Sequence, residues 1–242
     1  MTVFRAPLAA FACVLPLAAC ADKVEIEVAG RLFDGPNSGV VVPGATVDAL
    51  DASGQSVASA VTDNQGAFAV GLPEGTTFFL LFSKTDWVTT SFTGYSGLQD
   101  LRSQDGALYI RPQAVHDDIA SDFEGCVRSG GTGGSVDGVL RLNVGESYEE
   151  ADNAPILTSG FAWADTADGE TVVACYLPDD AGEAGTVTGE SGRFALLDLA
   201  PGVAKLHLAY EEGQIADHSD EYPVYVPEGG VVPLNPAWAT LP

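Results

Sequence analysis

Carboxylates are the residues of this chain whose types and spacing come closest to doing chemistry. Glu211, Glu212, Asp217, Asp220 and Glu221 crowd into one loop, and hard oxygen ligands of this kind suit calcium. Asp63-Asn64 and Asp179-Asp180 are further oxygen-rich turns. Turn chemistry and a solvated, repulsive surface explain the same residues. The expectation is therefore no cofactor, with calcium in the 211–221 loop as the metal alternative. Trp87, Phe92 and Tyr95 are the second candidate, a stacking platform for a sugar. Trp87 and Phe92 are five residues apart, which puts them on opposite faces of a regular strand. Core or inter-domain packing is the better reading.

Catalysis finds little support. The histidines, His116, His207 and His218, are scattered, and His207 lies in an alternating strand, where it reads as a packed or rim residue. No Gly-x-Ser-x-Gly elbow, His-Glu-x-x-His pair or Gly-rich phosphate loop occurs. With 34 acidic residues, close carboxylate pairs arise by chance. A hydrolase would need a cleft holding His116 or His218 beside carboxylates. The expectation is that the chain is not an enzyme.

The elements that position these residues follow from composition. A net charge of -24 over 242 residues, with 10 Lys and Arg, makes nucleic acid and anionic lipid poor partners. The acidity fits a basic or calcium-bridged partner, or a salty habitat. A 46% hydrophobic content is enough for folded cores. The wealth of Gly, Val, Thr and Ala fits short strands and turns.

The first nineteen residues read as a signal peptide, with Arg5 in the n-region and an apolar stretch, 8–17, too short to span a bilayer. It ends Leu17-Ala18-Ala19-Cys20, which resembles a bacterial lipobox. The resemblance implies cleavage before Cys20, acylation of that cysteine and anchoring in lipid. Ala21 stands where inner-membrane retention would want Asp, which points to the outer membrane, on either its periplasmic or its surface face. Residues 20–23 form a short tether, so the first domain sits close to the membrane. Cys13 leaves with the signal and Cys20 is lipidated, so Cys126 and Cys175 remain. In an oxidising compartment they are most simply one disulfide.

One sentence is written twice in the chain. Val61-Thr62-Asp63-Asn64-Gln65-Gly66-Ala67-Phe68, closed by Leu72-Pro73-Glu74-Gly75, returns as Val187-Thr188-Gly189-Glu190-Ser191-Gly192-Arg193-Phe194, closed by Pro201-Gly202. A repeated β-hairpin implies two related β-domains. Strands are expected at 24–28, 30–34, 45–50, 55–61 and 76–82, the last apolar on both faces like a central strand. Leu108-Tyr109-Ile110 reads as the closing strand of the first domain. The acidic connector 114–124 holds a helical turn, and a Gly-rich boundary follows at 129–135. In the second half, strands are expected at 138–144, 171–177, 203–210, 222–226 and 231–234, with Phe161 and Trp163 on one face of another.

Gly30, Val42-Pro43-Gly44-Ala45-Thr46-Val47, the 62–68 turn and Leu72-Pro73-Glu74-Gly75 resemble the carboxypeptidase regulatory-like domain. The resemblance covers 24–115 well and 134–242 more loosely. It implies a transthyretin-like sandwich of about seven strands, an accessory module without catalytic residues of its own. The purine-hydrolysing relatives of that fold need paired histidines, an arginine and a distinctive tail. This chain ends Trp238-Ala239-Thr240-Leu241-Pro242, so their activity does not carry over. An isopeptide cross-link, known in adhesin relatives, would pair an early Lys with a late Asn; the second domain has Asn235 but no early Lys.

The expectation is all-β: two tandem transthyretin-like (prealbumin-like) β-sandwiches after a lipoprotein signal peptide. The domains are 1–19 signal, 20–23 tether, 24–115 first sandwich, 116–134 linker and 135–242 second sandwich. Function is expected to be that of a non-enzymatic, membrane-anchored interaction module with an envelope protein partner. The alternative is a glycan-binding surface lipoprotein of a polysaccharide-uptake system.

Overall fold

The repeated turn is a folding unit in its own right. Asp63 Oδ1 accepts hydrogen bonds from the backbone N–H of Gln65 at 2.8 Å and Ala67 at 2.9 Å, an Asx turn. The turn requires Gly66 at φ +72°, where a Cβ would lie 2.8 Å from the Leu32 carbonyl oxygen. Glycine is the residue that fits there. Gly192 occupies the matching position at φ +63°.

The computed structural model describes residues 25–36, 38–103, 106–123, 126, 133–139, 160–177, 192–210 and 219–234. The first half contains β1 (Glu25–Arg31), β2 (Thr46–Asp51), β3 (Ser56–Val61), β4 (Ala67–Pro73), β5 (Thr77–Ser83), β6 (Trp87–Val88), β7 (Thr90–Tyr95), β8 (Leu101–Arg102), β9 (Arg111–Pro112) and the helix α1 (Gln113–Ser121). The second contains β10 (Gly134–Val139), β11 (Gly160–Asp165), β12 (Thr171–Val173), β13 (Cys175–Tyr176), β14 (Arg193–Leu199), β15 (Gly202–Tyr210), β16 (Ser219–Val226) and β17 (Val231–Leu234).

Two β-sandwiches result, and strand order shows that they are copies. In the first, the sheet β4-β1-β8 faces the strands β3-β2-β5-β7. In the second, β14-β10-β17 and β12-β11-β15-β16 repeat both orders. The register repeats as well: Gly30 lies opposite Phe68 and Gly138 opposite Phe194. In both halves the third strand, β8 or β17, joins its sheet in parallel.

Each sandwich has its own core. Val28, Phe68, Val70 and Leu72 meet Val47, Leu80, Phe82 and Phe92 in the first, with Phe82 edge-on to Phe68 and Phe92 at 5.3 and 5.9 Å. Val136, Phe194 and Leu196 meet Ala162, Ala164, Leu206 and Val224 in the second. Burying one such side chain stabilises by about 1.5–3 kcal/mol. The double-faced apolarity of β5 has a physical reason. Phe78, Leu80 and Phe82 fill the core, while Phe79 on the other face is 0% exposed with Tyr225 of β16 5.9 Å away.

Several expected elements shift. The connector forms nine helical residues, 113–121, rather than a single turn. The 138–144 strand begins four residues early, as β10. The 108–110 segment is a buried crossing, with Tyr109 bridged to Phe33. The 171–177 strand breaks at Ala174: β12 pairs with β11, while β13 pairs with β14 in the other sheet.

The two halves are joined at several points. Val231 of β17 pairs with Thr90 of β7, and its N–H reaches the Thr89 carbonyl at 2.9 Å. The result is one eight-stranded sheet, β13-β14-β10-β17-β7-β5-β2-β3. Thr93 Oγ1 donates to the Pro223 carbonyl at 2.9 Å. Arg111 of β9 forms a buried ion pair with Asp137 of β10 and donates to Tyr109 Oη at 3.3 Å. Burial alone would lower the Arg111 pKa; the Asp137 charge and then Tyr109 outweigh it, and the pKa is raised. Beyond α1, Arg193 pairs with Asp122 at 3.0 Å and lies over Phe123, and Cys126 is disulfide-bonded to Cys175 with Cα atoms 5.9 Å apart.

Removing one member of a buried ion pair strands the other charge. Asp137→Ala is therefore expected to lower unfolding stability by about 3–5 kcal/mol. Replacing both residues with apolar side chains of similar size should recover most of it. Cys126→Ser with Cys175→Ser opens a loop of 49 residues' separation and should cost about 4 kcal/mol. Denaturant unfolding of each variant checks both outcomes.

Candidate functional site

Among the described residues, a dense set of interacting polar side chains lies on the outer face of the second sandwich, and its placement follows from small residues. Ala162 and Ala164 point into the core of β11, so alternation turns Phe161, Trp163 and Asp165 outward. Antiparallel pairing then aligns them. Trp163 lies opposite His207 of β15, and His207 opposite Glu221 of β16. Asp165 lies opposite Lys205.

The side chains connect across these strands. The Trp163 and His207 rings stack at 4.8 Å with an interplanar angle of 3°, and His207 is buried although it is on the outer face. His207 Nε2 is 3.0 Å from Asp165 Oδ2, and its Nδ1 is 3.7 Å from Glu221 Oε1. Lys205 Nζ is 2.9 Å from Glu221 Oε2. Thr171 Oγ1 donates to Asp165 Oδ1 at 2.7 Å.

The electrostatics agree with the geometry. The hydrogen bond from Thr171, then that from His207, holds the Asp165 carboxyl below its usual range. Lys205 does the same for Glu221, and Glu221 raises Lys205 in return. Each carboxylate is thus already matched by a donor. The row is suited to presenting a charged and aromatic surface, and less to general-base work, which needs a base aimed at a substrate proton.

The structure distributes the sequence-derived candidates unevenly. Glu211, Glu212 and Asp217 lie outside the described residues, as do Cys20, His218 and Asn235. Asp220 falls in β16, with its side chain outside the described set. Glu221 is engaged by Lys205, and among the described residues no group of three or more His, Cys, Asp or Glu could hold a metal ion. Trp87, Phe92 and Tyr95 do not form a platform. Phe92 is 2% exposed in the core, edge-on to Tyr109. Trp87 lies half-buried against that core with Lys84 Nζ 5.5 Å from its ring. Tyr95 alone is exposed, at 38%. The physical reason is that Trp87 belongs to β6, which pairs with β9, while Phe92 points inward from β7.

His116 of α1 does line a cleft of about 90 Å³ together with Asp137 and Asp198. Asp137 serves Arg111 there, and the space takes a few waters.

Sequence reasoning weighed His207 and Glu221 separately and missed Trp163, Asp165 and Lys205 as their neighbours. The alternation of β11 and β15 was the available signal, but their register was needed to bring the residues together.

The chain matches no family model and no curated protein. Among solved structures it is similar to the TIE protein of Bacillus anthracis, at 14% identity and TM-score 0.30, over 86% of this chain and 33% of that one. It is also similar to GBS52, the minor pilin of Streptococcus agalactiae, at 12% identity and TM-score 0.27, over 86% and 93% of the two chains. The shaft pilin SpaA of Lactobacillus rhamnosus GG gives 11% identity and TM-score 0.26, over 90% and 99%. Likenesses at this level carry no argument about assembly or partners.

Lys205→Met should raise the Glu221 pKa toward its ordinary 4.5, as read by carboxyl NMR titration. Because the folded value is depressed, the stabilisation from this pair is full above that ordinary value and fades as pH falls through the folded one. An unmoved Glu221 titration would show that the Lys205 pair does not form in solution.

Proposed function

We propose that this protein is a non-enzymatic structural and protein-interaction module of the cell envelope, tethered to the outer membrane through acylated Cys20. The observation that carries the reading is the junction between the sandwiches. A shared sheet, a buried ion pair and a packed aromatic contact hold two copies of one domain in a fixed relation. Enzyme sites are built around convergent reactive groups in a cleft. Here, among the described residues, the connected row of polar groups lies on an open sheet face, and its members are matched to one another.

Two acyl chains at ~0.8 kcal/mol per buried methylene give stable anchoring. The acidic surface steers a basic or cation-bridged partner, by loop or sheet-edge contact. Kinship with the carboxypeptidase regulatory-like domains belongs to this proposal and rests on the repeated hairpin and the strand order. The glycan-binding alternative has lost the aromatic platform that favoured it, since Phe92 is a core residue.

Purification of the native protein in mild detergent, with mass spectrometry of its companions, is the test. A stoichiometric envelope protein is expected, whereas repeated recovery of the protein alone under cross-linking would count against the interaction role. Separately, Cys20→Ala should move the protein from the membrane fraction to the soluble one. Unchanged fractionation would refute the lipid tether.

A further inference from the structure

The far edge of the eight-stranded sheet is β3, and no described strand lies beyond it. Exposed edges are usually blunted by charge or proline. This one is Ser56-Val57-Ala58-Ser59-Ala60-Val61, with neither. Ala58 and Ala60 pack against the core of the first sandwich. Val57 and Val61 are 45% and 63% exposed on the opposite side.

The order of these residues is palindromic. Val57-Ala58-Ser59-Ala60-Val61 reads the same in both directions, so an antiparallel pairing of the strand with its own copy sets residues of the same kind opposite one another. Centred on Ser59, such a pairing sets Ser59 against Ser59 of the second copy, Ala58 against Ala60, and Val57 against Val61. The strand Ser56–Val61 holds no carboxylate, so none faces another along the seam.

The hydrogen-bonding phase agrees. The Thr62 N–H bonds to the Ala45 carbonyl, and the Thr62 carbonyl accepts from the Gly44 N–H, both on the β2 side at 2.9 Å. Alternation therefore turns the N–H and C=O groups of Val61 and Ser59 away from β2, toward the open edge. Ser59 and its symmetry mate can exchange both N–H···O=C bonds. A bulge where Leu50 pairs with Ser56 sits at the end of this seam and leaves Ala58–Val61 regular.

From this we infer that β3 is a self-association edge. Two copies of the chain join through it about a two-fold axis, making one sheet continuous across the dimer. The valines that each copy exposes cover one another, and cross-strand pairs of this kind supply the contact energy. The mutual repulsion of two chains at -24 each opposes the dimer. It is screened by salt, so association tightens as ionic strength rises, opposite to a dimer held by ion pairs. This inference is independent of the lipid tether and of any envelope partner.

Sedimentation of the full-length protein in mild detergent, across a concentration series at about 0.15 M and about 0.5 M salt, tests it. A monomer–dimer equilibrium that is tighter at the higher salt is expected. Ser59→Lys places two like charges directly opposite one another and should weaken the dimer at least about tenfold, with the thermal unfolding midpoint of the dilute monomer unchanged because position 59 is exposed. In a second variant, Ser59→Cys, mild oxidation should give a covalent dimer, since opposed Cα atoms in such a pair fall within disulfide reach. The same treatment of Leu98→Cys, exposed elsewhere, should not. A monomer at every concentration and salt would overturn the inference. So would a dimer that survives Ser59→Lys, or equal cross-linking from Leu98→Cys.

Discussion

A guanidinium taken out of water must find a carboxylate, and in this protein the one that Arg111 finds belongs to the other domain. Removing a charge from solvent costs several kcal/mol unless a partner restores it. Arg111 leaves β9 at the end of the first sandwich, and Asp137 sits inside the first strand of the second. Neither half can bury its charge correctly without its neighbour in place. That requirement sets the approach of the halves and with it the meeting of β17 and β7. The cover that Tyr225 gives Phe79 follows from the same approach.

Much of the fold was legible because it rests on local chemistry. The Asp63–Gly66 turn, its counterpart at Gly192, and the alternation of β1, β2 and β4 are written in adjacent residues. The doubled hairpin pointed to the repeated strand order, and Cys126 and Cys175 pointed to the disulfide. Long-range partners were not legible. Nothing near Thr90 indicates that Val231 pairs with it, and nothing near Val172 indicates that the chain will change sheets at Ala174. The polar row on the second sandwich was hidden for the same reason. Trp163, His207 and Glu221 are separated in sequence and become neighbours through two strand registers.

The two copies show how one topology is put to different uses by small local changes. The parallel third strand is two residues long as β8 and four as β17. All four residues of the longer version pair with β10 in their own sandwich, and Val231 at its start also pairs with Thr90 of the other. The outward face of β5 carries Phe79 and is sealed by the second domain. The outward face of the equivalent β15 carries Lys205 and His207 and is left to solvent and to its own charges. One copy therefore provides a docking face for its twin, and the other provides polar surface.

The union of β17 with β7 has a consequence for the order in which the molecule can be completed. Val231 is among the last described residues, and the edge that it closes is fixed by Thr90, more than half the chain earlier. As the polypeptide emerges N-terminus first, the first sandwich can assemble early from contacts close in sequence. It must then wait with Phe79 and the edge of β7 uncovered until β16 and β17 arrive. The interval between those events is the period of greatest exposure to wrong pairings, and the late, non-local closure of β17 ends it.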